Sequence, residues 1–259
     1  MWRTNMNRIG FTLLFLGTLL FLNTSCQNFF WSHRCCDEQD TILPVTNYGF
    51  LYNWYAAIGD TEGNDFTSDT NIANEGWHIP SQTEWDALIS YIGGSATGGG
   101  ALKAVGTTYW NNLGGLDTYG FDARGGGQRI NGYNNFKDIG TWWTSTLVSV
   151  PFKTARFNSC QSANNSMTQA GSAGMFEGKS IRLIKDSTTL SHGEMGTYVG
   201  NNGISYPTIC IDTQEWMAKD LEETKYRDGT DIPLIGDSAE DNTTWTELTT
   251  GAYSVYPIP

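Results

Sequence analysis

The first strong apolar run of the chain, residues 9–22, follows a stretch whose only charges are Arg3 and Arg8. It is too short for a hydrocarbon core of about 30 Å, so it reads as an export signal rather than a membrane span. Further on, Ser81 and Glu84 have the spacing of a capping box, and Trp85, Leu88, Ile89 and Ile92 recur at helical intervals until Gly93-Gly94. This pattern predicts a capped helix with its apolar stripe on a core. A short helical turn is expected at 101–105. Residues 141–146, 179–184 and 208–211 alternate or run apolar with β-branched side chains, as strands do. Thr244-x-x-Glu247, with Trp245 and Leu248, predicts a second short capped helix. Long Gly, Asn and Ser stretches between these elements predict loops. The fold class is therefore α+β.

The signal closes on Leu22-Asn23-Thr24-Ser25-Cys26, which resembles a bacterial lipobox, although Asn23 departs from its tightest form. In such a motif the chain is cut before a cysteine that carries lipid. Residues 1–25 are thus read as a lipoprotein signal peptide and Cys26 as the lipidation site and sole membrane anchor, which places the protein at the outer membrane or cell surface. Cys35, Cys36, Cys160 and Cys210 remain, an even number in a disulfide-permissive compartment, with three possible connectivities. A clamp from Cys35-Cys36 to Cys160 or Cys210 is one expectation. No Cys-x-x-Cys occurs and His33, His78 and His192 are far apart, so no metal site and no cofactor is expected.

Residues 26–46 form a polar linker, 47–186 a continuous domain, and 187–259 an acidic segment with 12 acids and 3 bases. The whole chain has a formal charge of -12, which disfavours nucleic-acid binding because that depends on bases that neutralise phosphates. With 13% aromatic and only 16% charged residues, the composition suits neither a coiled coil nor a disordered chain.

Five motifs occur in order: Tyr48-Gly49-Phe50-Leu51-Tyr52-Asn53-Trp54-Tyr55-Ala56-Ala57, Gly76-Trp77-His78-Ile79-Pro80-Ser81-Gln82-Thr83-Glu84-Trp85, Gly120-Phe121-Asp122-Ala123-Arg124-Gly125-Gly126, Trp142-Trp143-Thr144-Ser145-Thr146 and Ser180-Ile181-Arg182-Leu183-Ile184-Lys185-Asp186. Together they resemble the Fibrobacter succinogenes major paralogous domain. The resemblance implies a C-type-lectin-like domain with short antiparallel strands, one well-capped helix and long loops, of a kind common in exported lipoproteins of Bacteroidota-like bacteria. The stretch 79–85 is also similar to a motif of the formylglycine-generating enzymes and of retroelement-diversified binding proteins. Tyr206-Pro207-Thr208-Ile209-Cys210-Ile211, Gln214-Glu215-Trp216 and the residues up to Tyr253 resemble the family's leader, which normally precedes the first motif. Residues 187–259 are therefore a truncated second module or a permuted part of the first domain, and the truncated form is the expected one because tandem copies are usual.

The chemistry implied by these relatives finds few matching residues. Cys160 and Cys210 do not sit where the formylglycine-generating enzymes hold their copper pair. Of the calcium motifs of C-type lectins only Trp110-Asn111-Asn112 comes close, and Asn112 lacks the carboxylate a hard cation prefers. Asp60, Glu62, Asp65 and Asp69 read as a solvated acidic loop. Ser145 and His78 lack a Gly-x-Ser-x-Gly context, so no hydrolase triad is expected. Trp54, Trp77, Trp85, Trp142 and Trp143 are read as packing residues. What remains is residues 147–178, read as a polar loop region in which Asn158, Asn164, Asn165 and Gln169 are the candidate ligand-binding residues. The expectation is a non-enzymatic protein that binds a surface glycan or protein. A purely structural envelope module and a decayed formylglycine-generating-type enzyme are the alternatives.

Overall fold

The computed structural model describes residues 47–59 and 71–256. In chain order these form β1 (Leu51–Tyr52), α1 (Trp54–Ile58), β2 (Trp77–His78), α2 (Gln82–Tyr91), α3 (Gly98–Leu102), β3 (Gln128–Arg129), β4 (Tyr133–Asn134), β5 (Ile139–Ser149), β6 (Thr154–Gln161), β7 (Met167–Gly174), β8 (Ile184–Lys185), β9 (Met195–Val199), β10 (Ser205–Ile211), β11 (Gln214–Met217), α4 (Ala239–Glu247) and β12 (Tyr253–Ser254). The named strands pair antiparallel throughout, and with four short helices the architecture is α+β. Cys26, Cys35, Cys36 and the acidic residues Asp60, Glu62, Asp65 and Asp69 lie outside the described residues.

α2 forms as its sequence predicts. The Ser81 hydroxyl accepts from the Glu84 amide while the Glu84 carboxylate accepts from the Ser81 amide, which satisfies two N–H groups that the helix itself cannot. Its stripe buries Trp85, Leu88 and Ile89, and the Trp85 ring lies 4.9 Å from that of Trp216 and 6.1 Å from that of Trp142. Trp54, Trp77, Trp142 and Trp143 are buried too. α4 differs from expectation in its start. Ser238 and Asp241 form the reciprocal cap, and Thr244 to Glu247 make up the last turn rather than the first.

Two sheets organise the molecule. One is three-stranded, β5–β6–β7, and the other has five strands in the order β2–β8–β11–β10–β9. Residues 178–185 link them as an extended stretch. Lys179 exchanges bonds with Tyr52, Ser180 bonds to Thr141 of β5, and the Ile181 and Leu183 carbonyls accept from Leu221 and Met217. Only its last two residues are β8, so the expected strand 179–184 is mostly single bonds to several neighbours.

The expectation that the strands of 187–259 lack partners is corrected here. β11 pairs with β8 through Trp216 and Ile184, and β12 pairs with β1 through Leu51–Ser254 and Tyr52–Tyr253. The Asn53 side chain caps α1 and also accepts from the Ala252 amide at 3.0 Å while donating to the Thr250 carbonyl at 2.8 Å. Ile209, Ile211, Trp216 and Leu221 are all buried, in two core clusters that draw on both halves of the described chain.

A second correction concerns residues 147–178. They are not a loop region but largely β5, β6 and β7, joined by two tight connections. Among the described residues Cys160 and Cys210 form no disulfide with each other: Cys160 lies in the cluster around Trp142, and Cys210 has its Sγ 3.3 Å from the Leu190 carbonyl.

Candidate functional site

The turn between β6 and β7, residues 162–166, rests on α3 and projects two of the four candidate side chains. α3 begins Gly98-Gly99-Gly100, an unfavourable start for a helix, and the reason is contact. A Cβ on Gly99 would lie 2.6 Å from the Ser166 carbonyl oxygen and 2.8 Å from that of Asn165. Without side chains there, the Gly100 amide reaches the Asn165 carbonyl at 3.2 Å. The turn is also held from below. The buried Lys103 ammonium donates to the carbonyls of Leu113 (2.7 Å), Gln161 (3.0 Å) and Asn164 (2.7 Å), which ties three segments to one point. Burial pushes the Lys103 pKa down.

On one side of this turn lies a concavity of about 500 Å³, lined among others by Ile92, Ala101, Leu113, Leu116, Thr118 and Asn165. Two leucines of its wall are exposed, Leu116 at 78% and Leu113 at 45%. On the other side a concavity of about 300 Å³ is lined by Asn112, Asn135, Asp138, Gln161 and Ser162. There Asn111 donates to Asp138 at 3.0 Å, Asn112 to Ser162 at 3.3 Å, and Ser162 to Asp138 at 3.1 Å. The Trp110-Asn111-Asn112 segment thus borders a polar hollow, with Trp110 itself buried.

The four candidate residues separate. Asn164 is exposed, and its Oδ1 accepts from the Ser166 amide (2.9 Å) and hydroxyl (2.7 Å), which shapes the turn. Asn165 is exposed at the larger concavity. Gln169 is exposed on β7 and donates to Asp86 of α2 at 2.8 Å. Asn158 is not a surface residue. It is buried in β6 beside the register shift between Phe157 and Ser159, where its Oδ1 accepts from the Ala170 amide (3.2 Å) and from Gln82 (3.3 Å). Its role is to satisfy polar groups that the irregular pairing leaves open.

His78 is flanked by two carboxylates, with Nε2 2.9 Å from Glu84 and Nδ1 2.5 Å from Asp186. The Glu84 bond is the largest cause of a raised His78 pKa, against partial burial, with Asp186 adding to the rise. For Glu84, burial acts upward, but the bonds to His78 and Ser81 outweigh it and hold its carboxyl at about 2. With both ring nitrogens engaged, this cluster holds β2, α2 and the end of β8 together rather than presenting a base. A raised histidine pKa stabilises fully below its unfolded value of about 6.5 and loses that contribution as pH rises through the folded value. A depressed carboxyl pKa stabilises above 4.5 and loses its contribution as pH falls towards about 2. His78→Gln is therefore expected to lower stability most between those limits, by less than about 1 kcal/mol because solvent screens a half-exposed pair. Thermal melts of both proteins from pH 4 to 9 check this, and a pH-independent difference would refute it.

Burial pushes the Cys160 thiol up to about 12, and it raises that of Cys210 as well. Among the described residues no three His, Cys, Asp or Glu side chains are grouped as metal ligands, and no helix is long and apolar enough to cross a membrane. Sequence reasoning missed Lys103, Leu113 and Leu116. The Gly98-Gly99-Gly100 run was a usable signal for close backbone approach, whereas the three carbonyls around Lys103 come from distant segments and leave no local pattern.

No curated protein and no solved structure matches the chain. The model of the Fibrobacter succinogenes major domain matches residues 24–185, which includes β1 to β8 and both concavities' principal walls. The chain belongs to the Fibrobacter succinogenes major domain family.

Proposed function

We propose that the protein is a lipid-anchored cell-surface binder, held at the outer membrane or cell surface through Cys26. Its C-type-lectin-like domain takes a macromolecular ligand, glycan or protein, without chemistry. The observation that carries this reading is the β6–β7 turn. It is fixed by Lys103 and by contact with Gly99 and Gly100, it presents Asn164 and Asn165 to solvent, and it stands between two concavities. Rigid support under exposed amides lowers the ordering cost of binding. The occupied ring nitrogens of His78 and the protonated, buried thiols support a non-enzymatic role over a decayed formylglycine-generating-type enzyme.

Two measurements test it. Cys26→Ser is expected to leave the protein in the aqueous fraction and unlabelled by a fatty-acid analogue, and continued membrane fractionation with labelling would sink the anchor. The full chain and Asn165→Arg are then compared against polysaccharides and proteins, with a loss of about 10-fold in affinity or more expected for the variant at unchanged melting temperature. A ligand bound equally by both would move the site elsewhere. No ligand for the native chain would favour a structural envelope module, and copper uptake would favour the enzyme descent.

A further inference from the structure

Three rings from three separate segments meet at the surface, two of them next in the chain to Ile92 and Thr118 of the larger concavity's wall. Tyr91 ends α2, Tyr119 follows Thr118 of the concavity wall, and His192 comes from the carboxy-terminal segment. Tyr91 and Tyr119 lie 5.8 Å apart at 58°, Tyr91 and His192 5.4 Å apart at 66°, and Tyr119 and His192 6.1 Å apart at 60°. Rings tilted in this way form a shallow cup rather than a stack. Tyr91 is 41% exposed and His192 is exposed, so the cup faces solvent. The His192 Nδ1 accepts from the Asp212 amide at 3.0 Å, which orients the ring and leaves Nε2 as the N–H donor of the neutral form. Neither tyrosine hydroxyl is hydrogen-bonded among the described residues.

We propose that this aromatic cup and the adjoining concavity form one subsite for a neutral hexopyranose polysaccharide. The proposal rests on the binding reading above and names its ligand class. A pyranose ring has an apolar C–H face, which aromatic π-faces attract, and a rim of hydroxyls that need donors and acceptors. The cup supplies both, with two phenol hydroxyls and an N–H around the ring faces, and Asn165 offers an amide at the concavity. Its volume of about 500 Å³ falls in the usual range of small-molecule sites, roughly 300–1,000 Å³. Charge selects among glycans. Residues 86–101, 113–121 and 187–196 contain Asp86, Asp117 and Glu194 and no lysine or arginine, Asp122 beyond them is paired with Arg124, and the chain carries a net charge of -12. A uronic or sulfated polymer would be repelled there, whereas a neutral one is indifferent to this field.

The test is affinity electrophoresis of the detergent-solubilised full chain through gels containing hydroxyethylcellulose, laminarin, soluble starch, galactomannan or polygalacturonate. Retardation by at least one neutral polymer and none by polygalacturonate is expected. Tyr91→Leu and Tyr119→Leu, which keep side-chain bulk, should each weaken the interaction about 10-fold, the loss of roughly 1.4 kcal/mol. In parallel, the His192 ring protons should shift on titration with the retained polymer, assigned by their loss in His192→Gln. If a neutral polymer is retained equally by the Tyr91→Leu/Tyr119→Leu pair and His192 does not shift, the cup is wrong while glycan binding stands. If no neutral polymer is retained, the inference fails. A protein ligand lost with Asn165→Arg would then show that the binding reading survives without it.

Discussion

Removal of residues 187–259 is expected to leave a chain without a cooperative unfolding transition. The deleted part supplies Tyr198, Tyr206, Ile209, Ile211, Trp216, Met217 and Leu221 to the two core clusters, all of them buried. Each such side chain contributes about 1.5–3 kcal/mol, and a domain of this kind has only about 5–15 kcal/mol in hand. Any five of them therefore offset most or all of the net stability. Backbone pairing is lost as well, since β8 would keep only β2 as a neighbour and β1 would lose β12. Urea melts of the full chain and of a chain ending at Asp186, both carrying Cys26→Ser, compare the two directly. A shortened chain with an unchanged midpoint would show that the segment contributes nothing to the first domain, as a truncated module requires.

The parts of this fold that were legible in the sequence are those decided locally. The Ser81–Glu84 box and the stripe from Trp85 to Ile89 define α2, and Thr141 to Thr146 fall inside β5 as their branched and aromatic side chains suggest. β6 and β7 were not legible because they are built mostly from Ser, Ala, Gly, Asn and Gln, residues with weak strand preference that tertiary pairing overrides. Asn158 was misread for the same reason. An asparagine in a polar stretch suggests a loop, and only the register shift opposite it explains its burial. For α4, Ser238-x-x-Asp241 was overlooked because aspartate stands where a longer carboxylate or amide usually reciprocates. The concavities and the aromatic cup had no sequence signal, since Leu116 and Asn165 meet from separate segments and His192 joins Tyr91 and Tyr119 only when the carboxy-terminal segment docks. That docking was the larger miss, because similarity to a leader says what a segment is and not what it packs against.

Asp220→Ala is the second large effect expected, because Asp220 is the buried group through which that segment grips the first domain. Its Oδ1 accepts from the Arg182 Nε at 2.5 Å and from the Trp142 indole N–H at 2.9 Å, and neither side chain of the ion pair is more than 1% exposed. The remaining guanidinium nitrogens donate to the carbonyls of Phe121, Asp122 and Met217, so the cation is shared by both halves of the chain. Gly49 makes room for the Asp220 stem and backbone: it has φ +71°, and a Cβ there would lie 2.6 Å from the Asp220 Cβ. Truncation to alanine removes the carboxylate bonded to Arg182 and leaves the Trp142 N–H without its acceptor. Breaking one side of a buried pair costs about 3–5 kcal/mol, mostly through the charge left behind. Asp220→Asn, which keeps an acceptor but no charge, should fall between alanine and the native protein. Replacing both partners with apolar residues, Arg182→Met with Asp220→Leu, should recover part of the loss, since a buried pair is often replaceable as a unit while neither member is removable alone. Denaturant midpoints of the three variants decide it. Equal losses for Asp220→Ala and the double replacement would mean that side-chain volume at this point, and not the stranded arginine, sets the stability.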